Sequence, residues 1–429
     1  MDTDQGTDVS VLTTIAISPP SPQPATAVRP GLSRVLKFMG PAFIVSVAYM
    51  DPGNFGANIT AGSIFNYNLV WVILWSNVFA IFLQTLSAKL GIASGVDLPA
   101  HCRKEFSKPA NWFLWIIGVV AAMATNLAEF LGGSLGFYLL FGIPLFWGAV
   151  LTGIISYLIL ELSKFGQNRV ELAISGLVSV ISLCFVIELF LVRPDWPAVA
   201  LHTVLPSLSR DSLFVAVAML GATVMPHVIY LHSHLVQSRR NGTLSAMREH
   251  LFLEKVDICA AMNIAFVINA AMVVVSAATF HSRGLAVESI EMAHQTLQPL
   301  LGRLSGVAFG TALLASGLSS ATVGTYAGQV IMEGFVDVRL PEWAERVLTM
   351  LPAIAIISVG LDPVKVLVTS QVVLSFTLPV AIIPLLLITG RRRVMGSFVN
   401  DKRTGMVGWT ICALIISLNA ALLWSTFSG

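Results

Sequence analysis

Eleven stretches of this 429-residue chain are long and apolar enough to cross a lipid bilayer, and that repetition narrows the possible folds more than any other feature. They lie near residues 37–65, 69–93, 110–139, 143–163, 170–192, 212–238, 256–280, 303–334, 344–360, 363–389 and 406–427. Hydrocarbon offers peptide groups no partners, so each span must satisfy its own backbone as a helix. With 55% hydrophobic and only 11% charged residues, the composition excludes an ordinary soluble domain. A net charge of +2 gives a nucleic-acid partner no electrostatic support. The expected fold class is an all-α membrane protein, with the lipid bilayer as its solvent.

Residues 1–33 are rich in Pro, Ser and Thr, carry Asp2, Asp4 and Asp8, and lack a basic segment followed by an apolar run. A disordered cytoplasmic tail is expected there rather than a signal peptide, with residues 34–429 forming the transmembrane domain. If the N-terminus is cytoplasmic, only Arg193, Arg210, Arg283, Arg303 and Lys365 of the 25 lysines and arginines fall in outside segments. That bias toward the cytoplasm is the one expected of membrane proteins, and shifting the count by one helix would scramble it. An odd number of spans then puts the C-terminus outside. Cys102, Cys184, Cys259 and Cys412 show neither CxxC nor zinc-ligand spacing and read as packing residues.

Two spans are interrupted near their middles. Asp51-Pro52-Gly53-Asn54 begins fourteen residues past Lys37, about 20 Å into the membrane at helical rise. Met225-Pro226-His227 begins twelve residues past Leu213, about 18 Å in. The first and sixth spans open two successive sets of five, about 37–192 and 212–389, so the expected architecture is a five-plus-five inverted repeat with an extra helix at 406–427. Proline removes a backbone donor and glycine loosens the chain, so both breaks should free carbonyls. Asp51 followed by Pro52 is also an ordinary helix start. A carboxylate at bilayer depth costs about 3 kcal/mol or more, however, and that cost marks Asp51 as functional. Asp51 and Asn54 offer hard oxygens, Met225 a soft thioether that favours transition metals, and the Ala222 carbonyl is released by Pro226.

The stretches Met50-Asp51-Pro52-Gly53-Asn54, Gly221-Ala222-Thr223-Val224-Met225-Pro226-His227, Gly324-Thr325-Tyr326-Ala327-Gly328-Gln329 and Met332-Glu333-Gly334-Phe335 resemble the Nramp family of divalent metal transporters. The resemblance runs from about residue 34 to 427. It implies a LeuT-like fold and metal/proton symport by alternating access in a bacterial plasma membrane. It also implies metal ligands at Asp51, Asn54, Met225 and the Ala222 carbonyl, with Gln371 joining the site in one conformation. Mn2+ or Fe2+ would be the transported substrate; no resident cofactor and no enzymatic activity are expected.

Proton movement needs titratable groups, and few lie within the spans. Besides Asp51, they are His227 and His232 on the sixth span, Glu129 on the third, and Arg346 opening the ninth. Glu129 needs a partner at such depth, and Arg346 or His232 is the expected one. The chain departs from the proton-coupled bacterial pattern at Asn126, which is typically aspartate there, at Val119, which replaces an acid, and at Glu345, where a second arginine can precede Arg346. Asparagine carries no proton, so coupling is expected to be weakened or rerouted. His227, His232 and His234 lack an HExxH pattern and do not converge on one helical face, which disfavours a zinc enzyme. A LeuT-like amino-acid carrier and a passive metal channel are the rival readings.

Overall fold

The structure, a computed structural model, describes residues 40–162, 167–240, 242–287, 290–339 and 341–428. The tail at 1–33 lies outside the described residues. The α-helices are α1 (Pro41–Ala48), α2 (Pro52–Phe65), α3 (Val70–Ser94), α4 (Leu98–Glu105), α5 (Lys108–Phe141), α6 (Leu145–Glu161), α7 (Gln167–Leu191), α8 (Trp196–Val204) and α9 (Arg210–Thr223). They continue as α10 (Pro226–Leu235), α11 (Leu244–Thr279), α12 (Ile290–Leu301), α13 (Arg303–Val336), α14 (Glu342–Val359), α15 (Pro363–Thr389), α16 (Arg392–Met395) and α17 (Lys402–Phe427). Local chemistry sets many starts: Asp51, Asp97, Asp195, Asp362 and Asp401 each accept a backbone N–H as the N-cap of the helix that follows.

Among the described residues, α3, α5, α7, α9 with α10, α11, α13, α15 and α17 are long and apolar enough to cross a membrane, and α6 and the end of α14 are shorter apolar helices. The first span is split into α1 and α2, and the sixth into α9 and α10, at the two motifs where interruption was expected. The seventh differs from the reading of 256–280, because α11 already begins at Leu244. Its first turns carry Arg248, Glu249, His250, Glu254 and Lys255, too polar for a hydropathy window, yet Thr243 caps them and the helix runs on without a break. The short helices α4, α8, α12 and α16 lie in connecting segments.

Burial shows where the core sits. In the apolar stretch of α9–α10, 94% of residues are buried, and in α13 83%, against 33% in α17, so the second interrupted span is central and α17 peripheral. Helix α13 packs along α5 and α7, α9 packs on α15, and α2 packs on α11. Phe55 of α2 meets Phe185 of α7 at 5.4 Å between ring centroids and Phe309 of α13 at 6.1 Å, closing the bundle on one side of the first break.

The turn between α3 and α4 is anchored by Asp97, which accepts from Ala100 N at 2.8 Å and Gln237 Nε2 at 2.8 Å and lies 3.1 Å from His234 Nδ1. Burial by itself would raise this carboxyl, but the hydrogen bonds from His234, Ala100 and Gln237 hold it below its ordinary value. A depressed folded pKa contributes stability that is present above the unfolded value near 4 and is lost as pH falls through the folded one. Asp97→Ala should therefore lower stability in detergent by about 1–2 kcal/mol at neutral pH. The gap from the parent protein should close below about pH 4, as read by thermal unfolding across a pH series.

Candidate metal site

The first break is built by one side chain capping its own helix. Asp51 Oδ1 accepts from Asn54 N at 2.9 Å and Asn54 Nδ2 at 2.8 Å, so the capping role expected of an Asp-Pro start is filled. It occupies only one carboxylate oxygen. Asp51 Oδ2 and Asn54 Oδ1 are buried with no hydrogen-bond partner among the described residues. The carbonyls that precede the break are met from other helices: Asn269 Nδ2 donates to Tyr49 O at 2.6 Å and Ser316 Oγ to Met50 O at 2.5 Å.

At the second break Pro226 has no N–H to give Ala222 four residues earlier, and Asn54 Nδ2 donates to that freed carbonyl instead, at 3.0 Å. This bond sets the two interruptions face to face. Met225, three residues after Ala222 and at the N-cap of α10, is completely buried. Gln371 of α15 closes the group from a third direction. A Cβ on Gly53 would stand 1.8 Å from Gln371 Nε2 and 2.9 Å from Asp51 Oδ2, so only glycine there lets the amide and the carboxylate share one small volume. Gln371 Oε1 is also buried without a partner among the described residues.

Asp51, Asn54, the Ala222 carbonyl and Gln371 are thus gathered around Gly53, with Met225 on the adjoining segment. Unpartnered acceptor oxygens at low dielectric are costly, and a cation is the species that relieves several at once. As a ligand, the thioether of Met225 would suit a transition metal better than Ca2+ or Mg2+. Among the described residues no three His, Cys, Asp or Glu side chains are placed to hold a metal ion together, so a cation here would depend on one carboxylate supplemented by amides, a carbonyl and the thioether.

The residues expected to handle protons are dispersed. His227 Nδ1 lies 3.2 Å from Thr125 Oγ1 of α5, and its Nε2 has no partner among the described residues. His232 was expected as a possible partner of Glu129, but both its ring nitrogens are engaged elsewhere, Nδ1 at 2.8 Å from Gln84 and Nε2 at 3.0 Å from Glu254. His234 turns to Asp97, so the three histidines diverge. The Glu129 carboxylate is buried against Gly324, where a Cβ would stand 2.4 Å from Oε2. Arg346 belongs to α14, and its side chain, like that of Glu345, lies outside the described residues. Asn126 Nδ2 donates to Ala122 O of its own helix.

A relay that the sequence reading missed runs from the first break toward the start of α11. Gln84 Nε2 donates to Tyr49 Oη at 2.6 Å, and its Oε1 meets His232. His232 meets Glu254, and Glu254 pairs with Arg239. Three residues on, Asp257 accepts from Gly40 N at 3.1 Å and Ala42 N at 3.2 Å, capping α1 from another helix. Two acids within one turn of α11, Glu254 and Asp257, are the signal the sequence offers.

The divalent metal cation transporter MntH of Caldanaerobacter subterraneus subsp. tengcongensis is 57% identical over 400 residues, covering 93% of this chain and 95% of that one. A crystal structure of the Eremococcus coleocola manganese transporter superposes with a TM-score of 0.82 at 33% identity, covering 93% and 88% of the two chains. Mhp1, a nucleobase-cation-symport-1 family transporter, shares the fold at a TM-score of 0.62 and 12% identity, over 91% and 93%. The expected LeuT-like architecture is therefore the one adopted. The family model for natural resistance-associated macrophage protein-like sequences matches residues 42–425, and this chain belongs to the Nramp family.

Proposed function

We propose that this protein imports divalent transition metal ions, Mn2+ or Fe2+, into the cytoplasm by alternating access through the site at the two helix breaks. The observation that carries the reading is the set of unpartnered acceptors Asp51 Oδ2, Asn54 Oδ1 and Gln371 Oε1 beside the facing breaks. A bound cation would satisfy all three at once. In this reading Asp51, Asn54, the Ala222 carbonyl, Met225 and Gln371 hold the dehydrated ion, and α1 and α10 tilt about their breaks to open it to the cytoplasm. The N-terminus is cytoplasmic and the C-terminus outside, so an impermeant reagent should label a tag after residue 429 on intact cells.

Proton symport is the finer part of the proposal. Asp51, Glu129, His227, His232 and Arg346 are its carriers and charge partners, and Gln84 with Glu254 extends the route. Asn126 cannot carry a proton and spends its amide on its own helix, so proton flux should fall below that of relatives with an acid there. A pH-sensitive dye inside Mn2+-fed proteoliposomes should report weak or sub-stoichiometric acidification; a full proton per metal ion would assign Asn126 no part in coupling.

Saturable Mn2+ uptake that alanine and leucine leave undisturbed is the expected transport behaviour. Linear flux with concentration would mean a channel, and competition by the amino acids a carrier of another class. Met225→Ala should keep Mn2+ uptake with a KM raised about tenfold and should admit Ca2+. An unchanged Mn2+ to Ca2+ preference would remove the sulfur from the site.

A further inference from the structure

Helix α17 lies at the edge of the bundle, yet a polar pair between it and α15 forms one turn from a candidate ligand. Pro379, inside α15, has no N–H for the carbonyl four residues earlier, which is Ser375 O. Asn419 of α17 supplies the missing donor: its Nδ2 donates to Ser375 O at 2.8 Å, and its Oδ1 accepts from Ser375 Oγ at 2.8 Å. Both residues are buried. Ser375 is one turn beyond Gln371, and the opposite side of that turn rests on α9. A Cβ on Gly221 would stand 2.0 Å from Gln371 O and 2.8 Å from Ser375 N, so the α15 backbone occupies the space a side chain would need. Gly221 directly precedes Ala222, whose carbonyl faces the first break.

We infer that Asn419 is a positioning residue for metal binding. It pins the turn 371–375 of α15 into the notch at Gly221 and so sets where Gln371 stands relative to Asp51 and Gly53. The inference rests on the metal-transport reading and on Gln371 belonging to that site. It gives the C-terminal helix a task in substrate affinity although that helix contributes no ligand. A polar pair that merely glued two helices together would stabilise the bundle without discriminating among steps of transport.

Mn2+ uptake by the full-length protein in proteoliposomes tests this. Asn419→Ala should raise the KM for Mn2+ about tenfold while the maximal rate stays within about twofold. In a Gln371→Ala background the same substitution should change KM less than about twofold, because the residue it positions is gone. Pro379→Ala restores a backbone N–H to Ser375 O, and combined with Asn419→Ala it should return KM to within about threefold of the parent. Should Asn419→Ala fail to reach the membrane, Ser375→Ala, which removes only the hydroxyl half of the pair, should raise KM about threefold, again only when Gln371 is present. Equal effects with and without the Gln371 side chain, a fall in maximal rate at constant KM, or no rescue by Pro379→Ala would overturn the inference and leave metal transport standing. A parent protein that neither binds nor takes up Mn2+ would overturn both.

Discussion

Breaking a helix inside a membrane exposes peptide groups where no water can reach them, and the arrangement of this protein follows from how the two breaks are compensated. Each unsatisfied group costs on the order of 1–3 kcal/mol, and more in hydrocarbon. The carbonyls of Tyr49 and Met50 are met by Asn269 and Ser316, and the Ala222 carbonyl by Asn54. Those bonds meet three of the backbone acceptors at the breaks. Side-chain oxygens of Asp51, Asn54 and Gln371 stay without a partner among the described residues, and these are the atoms a cation would use. Asn54 takes part in both, donating to the Ala222 carbonyl while its own oxygen has no hydrogen-bond partner among the described residues.

Bringing three elements to one point requires the helices to approach closely, and small residues set that distance. Opposite Pro52, a Cβ on Gly132 would stand 2.0 Å from the ring, so α5 passes directly against the first break. Gly53 admits Gln371, and Gly221 admits the backbone of α15. The site is consequently a product of packing as much as of ligand chemistry. The central position of α9–α10 means that any tilt of α10 must be accommodated by α3, α13 and α15, with which it is in contact.

Away from the breaks, hydrogen bonds tie the half-helices α1 and α10 to their surroundings. Tyr49, at the end of α1, is linked through Gln84 to His232 of α10, and His232 to Glu254 of α11. Asp257 of α11 caps the opposite end of α1. Both half-helices are therefore tied by polar groups of α3 and α11 as well as by the apolar core around them. Fixed rows of side chains on α3 and α11 would serve as the frame against which α1 and α10 shift.

Much of this was legible in the residues themselves. The spans, their two interruptions, the Asp51 cap and the carbonyl released by Pro226 depend on neighbours within about four residues, and such local chemistry is written directly in sequence order. The start of α11 was misread because a hydropathy window ends where charges begin, whereas a capped helix does not. The partners of His232 and the donors to Tyr49 and Met50 could not be read: Gln84, Asn269 and Ser316 come from helices far along the chain, and ordinary polar residues give no sign of which helix they will face. By itself the sequence determined where the helices run and where they must break. Only tertiary packing decided which side chains meet at the breaks, because helix contacts are set by the shapes of whole surfaces brought together, a property no local window contains.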